Sequence, residues 1–298
     1  MTASMGATER LRTYAGFVRF EHTLFSLPLV VAGIFSARGH ALPWSRWALI
    51  LVAVVGARTA ALAINRLVDR RLDALNPRTA SRELPAGRMK LVEAWALLLA
   101  TGLAYLAACA TLGPWYLGVS WVPLAVFTVY PYLKRFTPLC HFGVGLALAL
   151  APLAGYAAAH PDLGEPTTAL WLAAFAWVWV SGFDVIYATL DETFDRDHGV
   201  HSMVRWLGKR RALHLTAALH AVAFICLMGA LGSLQAIRAC SGWSPAAWVS
   251  LAMAGVLLSL EQRWAEDVNL AFFKVNVWVG FAVLAMVLSA RAACGGFG

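Results

Sequence analysis

Residues 168–197 read TALWLAAFAWVWVSGFDVIYATLDETFDRD, an apolar run that ends in a group of acidic side chains. The first twenty-two residues of this stretch contain a single charged residue, Asp184. About 20 apolar residues are enough for a helix to cross the hydrocarbon core of a bilayer. The stretch shows no alternation of period two, so it predicts a helix rather than a strand. It therefore predicts a membrane-spanning helix whose C-terminal end is acidic and lies at the membrane surface.

The rest of the chain repeats this pattern. Of its 298 residues, 60% are hydrophobic and only 13% charged, against about 25% charged in soluble domains. Together the apolar windows predict an all-α, polytopic membrane protein, a single transmembrane domain over residues 1–298 with nine transmembrane helices. The two acidic clusters described below are expected to face a central cavity between these helices. The predicted helices cover residues 17–37, 46–65, 91–112, 115–133, 139–160, 168–189, 212–232, 246–261 and 269–290. The eighth is the shortest.

The basic residues indicate the orientation. With nine spans, nineteen Lys and Arg residues fall on the side of the N-terminus and four on the other side. Basic loops stay in the cytoplasm, so we expect a protein of the cell membrane with a cytoplasmic N-terminus. The two longest hydrophilic loops, residues 66–90 and 190–211, are then cytoplasmic too. The net charge of +8 comes from basic residues in the loops between the spans, so it does not indicate nucleic-acid binding. The sequence indicates no obligate protein partner.

The first acidic cluster follows the second predicted span. Asn65, Asp69 and Asp73 are spaced by four, so on a helix they form one stripe that drifts by about 40° per step. Arg58 precedes Asn65 by seven residues and lies on nearly the same face, about 10 Å deeper in the span. An arginine inside a span is costly and marks a candidate functional site. Arg58 is therefore expected to bind an anionic substrate group such as a benzoate-type carboxylate. The alternative is that it forms an ion pair with Asp184 or hydrogen bonds with carbonyls.

The second cluster ends the sixth predicted span. Tyr187, Asp191 and Asp195 repeat every four residues, while Asp197 lies off this stripe. Asp184 precedes Asp191 by seven residues and lies about two turns deeper on nearly the same face. The four histidines in or near the later spans show no spacing typical of metal ligands; they are His141, His160, His214 and His220.

Stacked carboxylates repel each other unless cations neutralise them. Mg²⁺ prefers carboxylate and phosphate oxygens, so two such clusters predict two Mg²⁺ ions bridged by a diphosphate. We expect the ions to be bound by Asp69, Asp73, Asp191 and Asp195, with Asn65 assisting and Asp197 as a further candidate. Such ions neutralise the charge that develops on a departing diphosphate. The alternative is a pair of solvated helix ends that carry ordinary acid–base pairs.

Both clusters resemble motifs of the UbiA superfamily of intramembrane prenyltransferases. That family has nine transmembrane helices, an NxxxDxxxD motif after helix two and a YxxxDxxxD motif after helix six; residues 65–73 and 187–195 resemble these motifs. Residues 20–28, 132–137 and 198–202 resemble the 4-hydroxybenzoate polyprenyltransferase-like branch, which includes similar enzymes acting on dihydroxynaphthoate. His201 departs from the pattern, since many relatives carry a Lys there.

The resemblance implies a Mg²⁺-dependent transfer of a polyprenyl group from an isoprenyl diphosphate to an aromatic acid in quinone biosynthesis. It implies that Lys134 and Arg82 bind the diphosphate, that Tyr130 lines the reaction centre, and that Asp69 and Asp191 are catalytic. The alternatives are a Lys134 that snorkels beside an interfacial Tyr130, and an Arg82 that is a solvated loop charge. Membrane lipids are expected to surround the isoprenoid tail.

Two rival classes remain. A secondary transporter would use intramembrane acids as ion relays and place them near the bilayer midplane, whereas most of the acids here end helices. A CDP-alcohol phosphotransferase would show its own aspartate motif, which this sequence lacks. Within the superfamily, a non-aromatic acceptor such as a glycerol phosphate ether lipid is a further alternative.

Overall fold

The computed structural model describes residues 7–18, 23–36, 42–237, 244–265, 268 and 274–293, and every regular element in these ranges is helical. The chain forms two compact units, Met1–Thr23 with Ala48–Tyr132, and Leu24–Trp47 with Leu133–Gly298. The helices wholly or mainly in the first unit are α1 (Ala7–Val18), α3 (Trp44–Leu75), α4 (Leu91–Leu112), α5 (Pro114–Val119) and α6 (Trp121–Leu133). Those of the second unit are α2 (Thr23–Ile34), α7 (Cys140–Ala159), α8 (Thr167–Ala188), α9 (Glu192–Asp197), α10 (Met203–Leu207), α11 (Lys209–Ile237), α12 (Pro245–Arg263) and α13 (Asn276–Ala293).

The all-helical class is confirmed, whereas the count of nine transmembrane helices is not. Within the described residues, seven helical segments are long and apolar enough to cross a membrane. The predicted first span, 17–37, includes residues 19–22 and 37, and the predicted ninth begins with residues 269–273; these lie outside the described residues. The predicted eighth span corresponds to α12, which is not among the seven. Its C-terminal turn carries Glu261, Gln262 and Arg263, which lower its hydropathy.

Local sequence signals set the ends of the helix α4. At its start the Lys90 N–H donates to Glu93 Oε2 at 2.7 Å, an acidic first-turn contact that suits the helix N-terminus. At its end the Gly113 N–H reaches the Cys109 carbonyl, and Gly113 has a φ of 145°, a conformation that favours glycine. Pro114 then opens α5, where a missing N–H does no harm. The observed bounds agree with the predicted 91–112.

In the first unit, α1 packs against α3, the loop after it and the start of α4. Phe17 of α1 is fully buried and joins Leu67, Met89 and Ala94 in one apolar cluster. The guanidinium of Arg66 lies 6.0 Å from the centre of the Phe17 ring. These contacts fix the hydrophilic loop 76–90 to the helix that carries the first acidic cluster.

In the second unit, α8 is the central helix of the core. Trp179 and Phe175 on α8 are fully buried and stack with ring centres 5.2 Å apart. The helices α2 and α7 approach each other through two glycines, Gly33 and Gly155, which face backbone carbonyls of the opposite helix. Glycine permits this distance because it has no Cβ.

Several helices expose large apolar side chains along their length. Leu99 and Leu103 on α4 expose 61% and 66% of their surface, and Val249 and Val256 on α12 expose 62% and 58%. Exposed apolar surface of this extent is unfavourable in water and favourable in lipid. With seven helical segments of spanning length, the chain is an integral membrane protein.

Candidate active site

The first acidic cluster lies on the last turns of α3, as its spacing predicted. Asp69 and Asp73 expose only 1% and 7% of their surface. The Asn65 amide donates to Asp69 Oδ2 at 3.3 Å, so these two side chains share a face of the helix. Buried carboxylates require cations or hydrogen-bond donors, so we expect a positively charged side chain close to Asp69 and Asp73.

That charge comes from Arg82 on the loop after α3. One guanidinium nitrogen, Nη1, lies 2.8 Å from Asp73 Oδ1 and 2.9 Å from Oδ2. The Thr79 hydroxyl donates to the Asp73 carbonyl at 3.0 Å and so closes the loop onto the helix. Arg82, predicted to bind the diphosphate, is therefore bonded to Asp73, predicted to bind metal.

Glu83, the neighbour of Arg82, holds the same loop from the other side. Its carboxylate lies 3.8 Å from Arg66 Nη1 and 3.9 Å from Arg88 Nη2. The Cα of Gly16 on α1 is close to this carboxylate as well, since a Cβ there would lie 2.7 Å from Glu83 Oε1. The loop that carries Arg82 is thus fixed at several points.

Arg58 and Tyr130, predicted to contact the acceptor and the reaction centre, are neighbours in the first unit. The two side chains are close enough to interact electrostatically. Asp184, the alternative partner predicted for Arg58, belongs to the second unit, and its carboxylate lies 2.6 Å from His141 Nδ1. The structure thus brings together two residues that the sequence placed on different spans.

The second acidic cluster differs from the regular helix that its spacing predicted. The helix α8 ends at Ala188, and residues Thr189–Asp191 form a 3₁₀ turn before α9 begins. The Thr189 hydroxyl donates to the Ile186 carbonyl at 2.7 Å, and such a bond competes with the regular helical ladder. A 3₁₀ turn has three residues per turn, so Tyr187, Asp191 and Asp195 do not form a stripe on one continuous α-helix.

Asp195 is the buried member of this cluster, exposing 6% of its surface, whereas Asp197 is exposed. The Asp195 carboxylate is hydrogen-bonded by the Ser202 side chain and lies within electrostatic reach of Asp191 and Lys134. The His201 N–H donates to the Lys134 carbonyl at 2.8 Å. Lys134 thus contributes positive charge near Asp195, whereas Arg82 forms a direct ion pair with Asp73.

The donor set fits Mg²⁺ in its chemistry. Within the described ranges no three His, Cys, Asp or Glu side chains converge as a ready-made metal site. Mg²⁺ is commonly held by only one or two carboxylates, with substrate phosphates and water completing its octahedron. Asp69 and Asp73 on α3, and Asp191 and Asp195 at the junction of α8 and α9, could each supply such carboxylates.

One polar contact escaped the sequence analysis altogether. His141 Nδ1 lies 2.6 Å from Asp184 Oδ2, although the two residues are 43 positions apart. No motif spacing joins the start of α7 to the last turns of α8. The only signal was the presence of an acid, Asp184, inside an apolar span, which calls for a buried partner.

The structure thus defines an all-helical integral membrane protein with two acidic clusters, each of which contains a buried carboxylate close to a cation. The sequence of the chain matches the UbiA prenyltransferase family over residues 26–280. A 4-hydroxybenzoate octaprenyltransferase of Shewanella frigidimarina is 32% identical over 211 residues, which cover 69% of this chain and 72% of that relative. A second, from Tolumonas auensis, is 29% identical over 277 residues, covering 90% and 89%.

Solved structures agree. The apo structure of a UbiA homologue from Aeropyrum pernix K1 has a TM-score of 0.79 and 35% identity, and the match covers 88% of this chain and 95% of that one. A UbiA homologue from Archaeoglobus fulgidus bound to GPP and Mg²⁺ has a TM-score of 0.64 at 18% identity, over 91% and 99% of the two chains; at that identity the likeness concerns the fold. The chain belongs to the UbiA prenyltransferase family.

Proposed function

We propose that this protein transfers a polyprenyl group from an isoprenyl diphosphate to a hydroxy-aromatic acid, in the biosynthesis of a quinone such as ubiquinone or menaquinone. The acceptor we propose is 4-hydroxybenzoate or a related acid such as dihydroxynaphthoate. The proposal is supported by family membership and by the names of relatives, which are 4-hydroxybenzoate octaprenyltransferases. We further propose that residues 1–298 act as one domain in the cell membrane, with a cytoplasmic N-terminus and with loops 66–90 and 190–211 covering a cytoplasmic active site.

One observation carries the proposal: each unit places a buried carboxylate beside a cation. Asp73 is paired with Arg82, and Asp195 lies near Lys134. A Mg²⁺-diphosphate presents both kinds of charge, since its metal takes carboxylates and its phosphate oxygens take cations. A site for a metal alone would not require the cations.

The residues then have distinct tasks. Asp69, Asp73, Asp191 and Asp195, with Asn65 and Asp197 as further candidates, would hold two Mg²⁺ ions, which neutralise the charge of the departing diphosphate. Arg82 and Lys134 bind the phosphate oxygens, and a guanidinium suits them geometrically.

At the acceptor, Arg58 binds the carboxylate and Tyr130 lines the reaction centre. As the C–O bond of the donor breaks, the allylic carbon is attacked by a ring carbon of the acceptor. The ring then loses its proton and regains aromaticity.

The test uses the purified protein in detergent with Mg²⁺, geranyl diphosphate and 4-hydroxybenzoate, and detects the prenylated acid by mass spectrometry. We expect a product with the wild type and none with the Asp69→Ala, Asp191→Ala double variant or without Mg²⁺. Dihydroxynaphthoate, longer donors and a glycerol phosphate acceptor identify the native substrates. If no acceptor gives product and no diphosphate is released, the transferase is refuted and ion-coupled transport is tested next.

A further inference from the structure

His141 is the second residue of α7 and is almost completely buried, with 4% of its surface exposed. Both of its ring nitrogens are engaged, which is unusual for a residue that only fills space. Nδ1 lies 2.6 Å from Asp184 Oδ2, and the Met203 N–H approaches Nε2 at 3.2 Å. The ring therefore connects α7, α8 and the segment that follows α9.

The partners determine the protonation of the ring. A backbone N–H can only donate, so Nε2 must offer its lone pair to Met203. In neutral imidazole the proton then resides on Nδ1 and is donated to the Asp184 carboxylate. Such a second hydrogen bond is what fixes the tautomer of a histidine. The Asp184 side chain remains 25% exposed, so the bond to His141 orients its carboxylate without burying it.

Met203 directly follows two residues that are hydrogen-bonded to Asp195 and to Lys134. Ser202 is buried, and its side chain hydrogen-bonds to Asp195 while its oxygen accepts the Arg205 N–H. The preceding His201 donates its N–H to the Lys134 carbonyl at 2.8 Å. The short segment 201–203 is thus bonded to Lys134, to Asp195 and to His141 at three successive residues.

We propose that His141 is a positioning residue for the transfer reaction. By accepting the Met203 N–H it holds the segment 201–203 in place, and with it the relative placement of Asp195 and Lys134. This inference rests on the proposed function, because it assumes that these two side chains bind the Mg²⁺-diphosphate of the donor. His141 itself is bonded to Met203 of this segment, and we assign it no contact with either reactant.

Two amide substitutions at position 141 test the two hydrogen bonds of the imidazole ring separately. His141→Gln extends its amide to about the place of Nε2, so its oxygen can accept the Met203 N–H while the donor to Asp184 is lost. His141→Asn places its amide near Nδ1, so it can still donate to Asp184 but leaves the Met203 N–H without an acceptor. His160→Ala is the matched control, since His160 is a buried histidine of the same unit just beyond the opposite end of α7.

The measurement is the Kd for geranyl thiodiphosphate, a donor analogue that ionises slowly, by titration calorimetry with Mg²⁺, together with Tm in detergent. We expect His141→Asn to weaken binding about tenfold, because the segment that loses this hydrogen bond must be ordered again when the donor binds. His141→Gln should stay within about threefold of the wild type. The control should lower Tm without changing the Kd.

The two proposals fail differently. If the wild type binds neither this analogue nor one with a longer prenyl chain in the presence of Mg²⁺, the proposed function is wrong. If the wild type binds, but the Gln and Asn variants have equal Kd values or the reverse order, the role of His141 is refuted. A fall in Tm with an unchanged Kd in both variants also refutes it, because that result describes a purely structural residue.

Discussion

Arg82 forms an ion pair with the Asp73 carboxylate, and we expect it to compete with Mg²⁺ for this carboxylate. One guanidinium nitrogen lies within 2.9 Å of both Asp73 oxygens, and the two side chains expose 21% and 9% of their surface. In Arg82→Gln the cation is lost, so Mg²⁺ no longer has to displace it. The variant should therefore bind Mg²⁺ more tightly than the wild type when no diphosphate is present.

The magnitude follows from the burial of the pair. Hydrogen bonds to charged groups contribute about 1.5–3 kcal/mol, and partial exposure of the guanidinium reduces this to about 1–2 kcal/mol. The apparent Kd for Mg²⁺ should then fall by about 5- to 30-fold. The Kd for the donor diphosphate should change in the opposite direction, because the phosphate contact that we propose for Arg82 is lost.

Titration calorimetry with Mg²⁺ alone, and then with the donor analogue, measures both changes. Arg88→Gln serves as the control, because Arg88 lies on the same loop and is 50% exposed. Its acidic partner is Glu83, at the long distance of 3.9 Å. This variant should bind Mg²⁺ as the wild type does. An unchanged or weakened Mg²⁺ affinity in Arg82→Gln would show that Asp73 does not bind the metal or that Arg82 does not compete for it.

Three further predictions concern packing and metal. Gly155→Ala places a methyl group well inside the 3.0 Å limit for real Cβ contacts, against the Val30 carbonyl, so it should lower Tm by a steric cost of about 1–3 kcal/mol. Gly232→Ala, where nothing lies within 4 Å, should leave Tm equal or higher, and similar values for both would contradict the close packing. Glu261→Ala removes the acceptor of the Trp179 N–H at 3.3 Å and should lower Tm by more than Glu261→Gln, with equal losses counting against that bond. EDTA should abolish product formation and diphosphate release together, and excess Mg²⁺ should restore both; activity that survives chelation would exclude a metal-dependent reaction.

The membrane helices were largely predictable from the sequence. The predicted spans 91–112 and 168–189 correspond to Leu91–Leu112 and Thr167–Ala188, because apolar length is a local property and Gly113–Pro114 marks a local end. The shared face of Asn65 and Asp69 was also predictable, since it depends only on helical periodicity. The prediction of a regular stripe at the second cluster was wrong, because residues Thr189–Asp191 form a 3₁₀ turn between α8 and α9.

The sequence by itself therefore determined the helical class, the membrane environment and the residues of the acidic clusters. Only the tertiary structure decided which charges compensate these acids. The Arg82–Asp73 pair forms because a loop folds back over its own helix, and the His141–Asp184 pair because two neighbouring helices pack side by side. The close approach of Gly155 to Val30 has the same origin. Such contacts depend on how the backbones pack, and packing is a property of the whole chain that no local spacing contains.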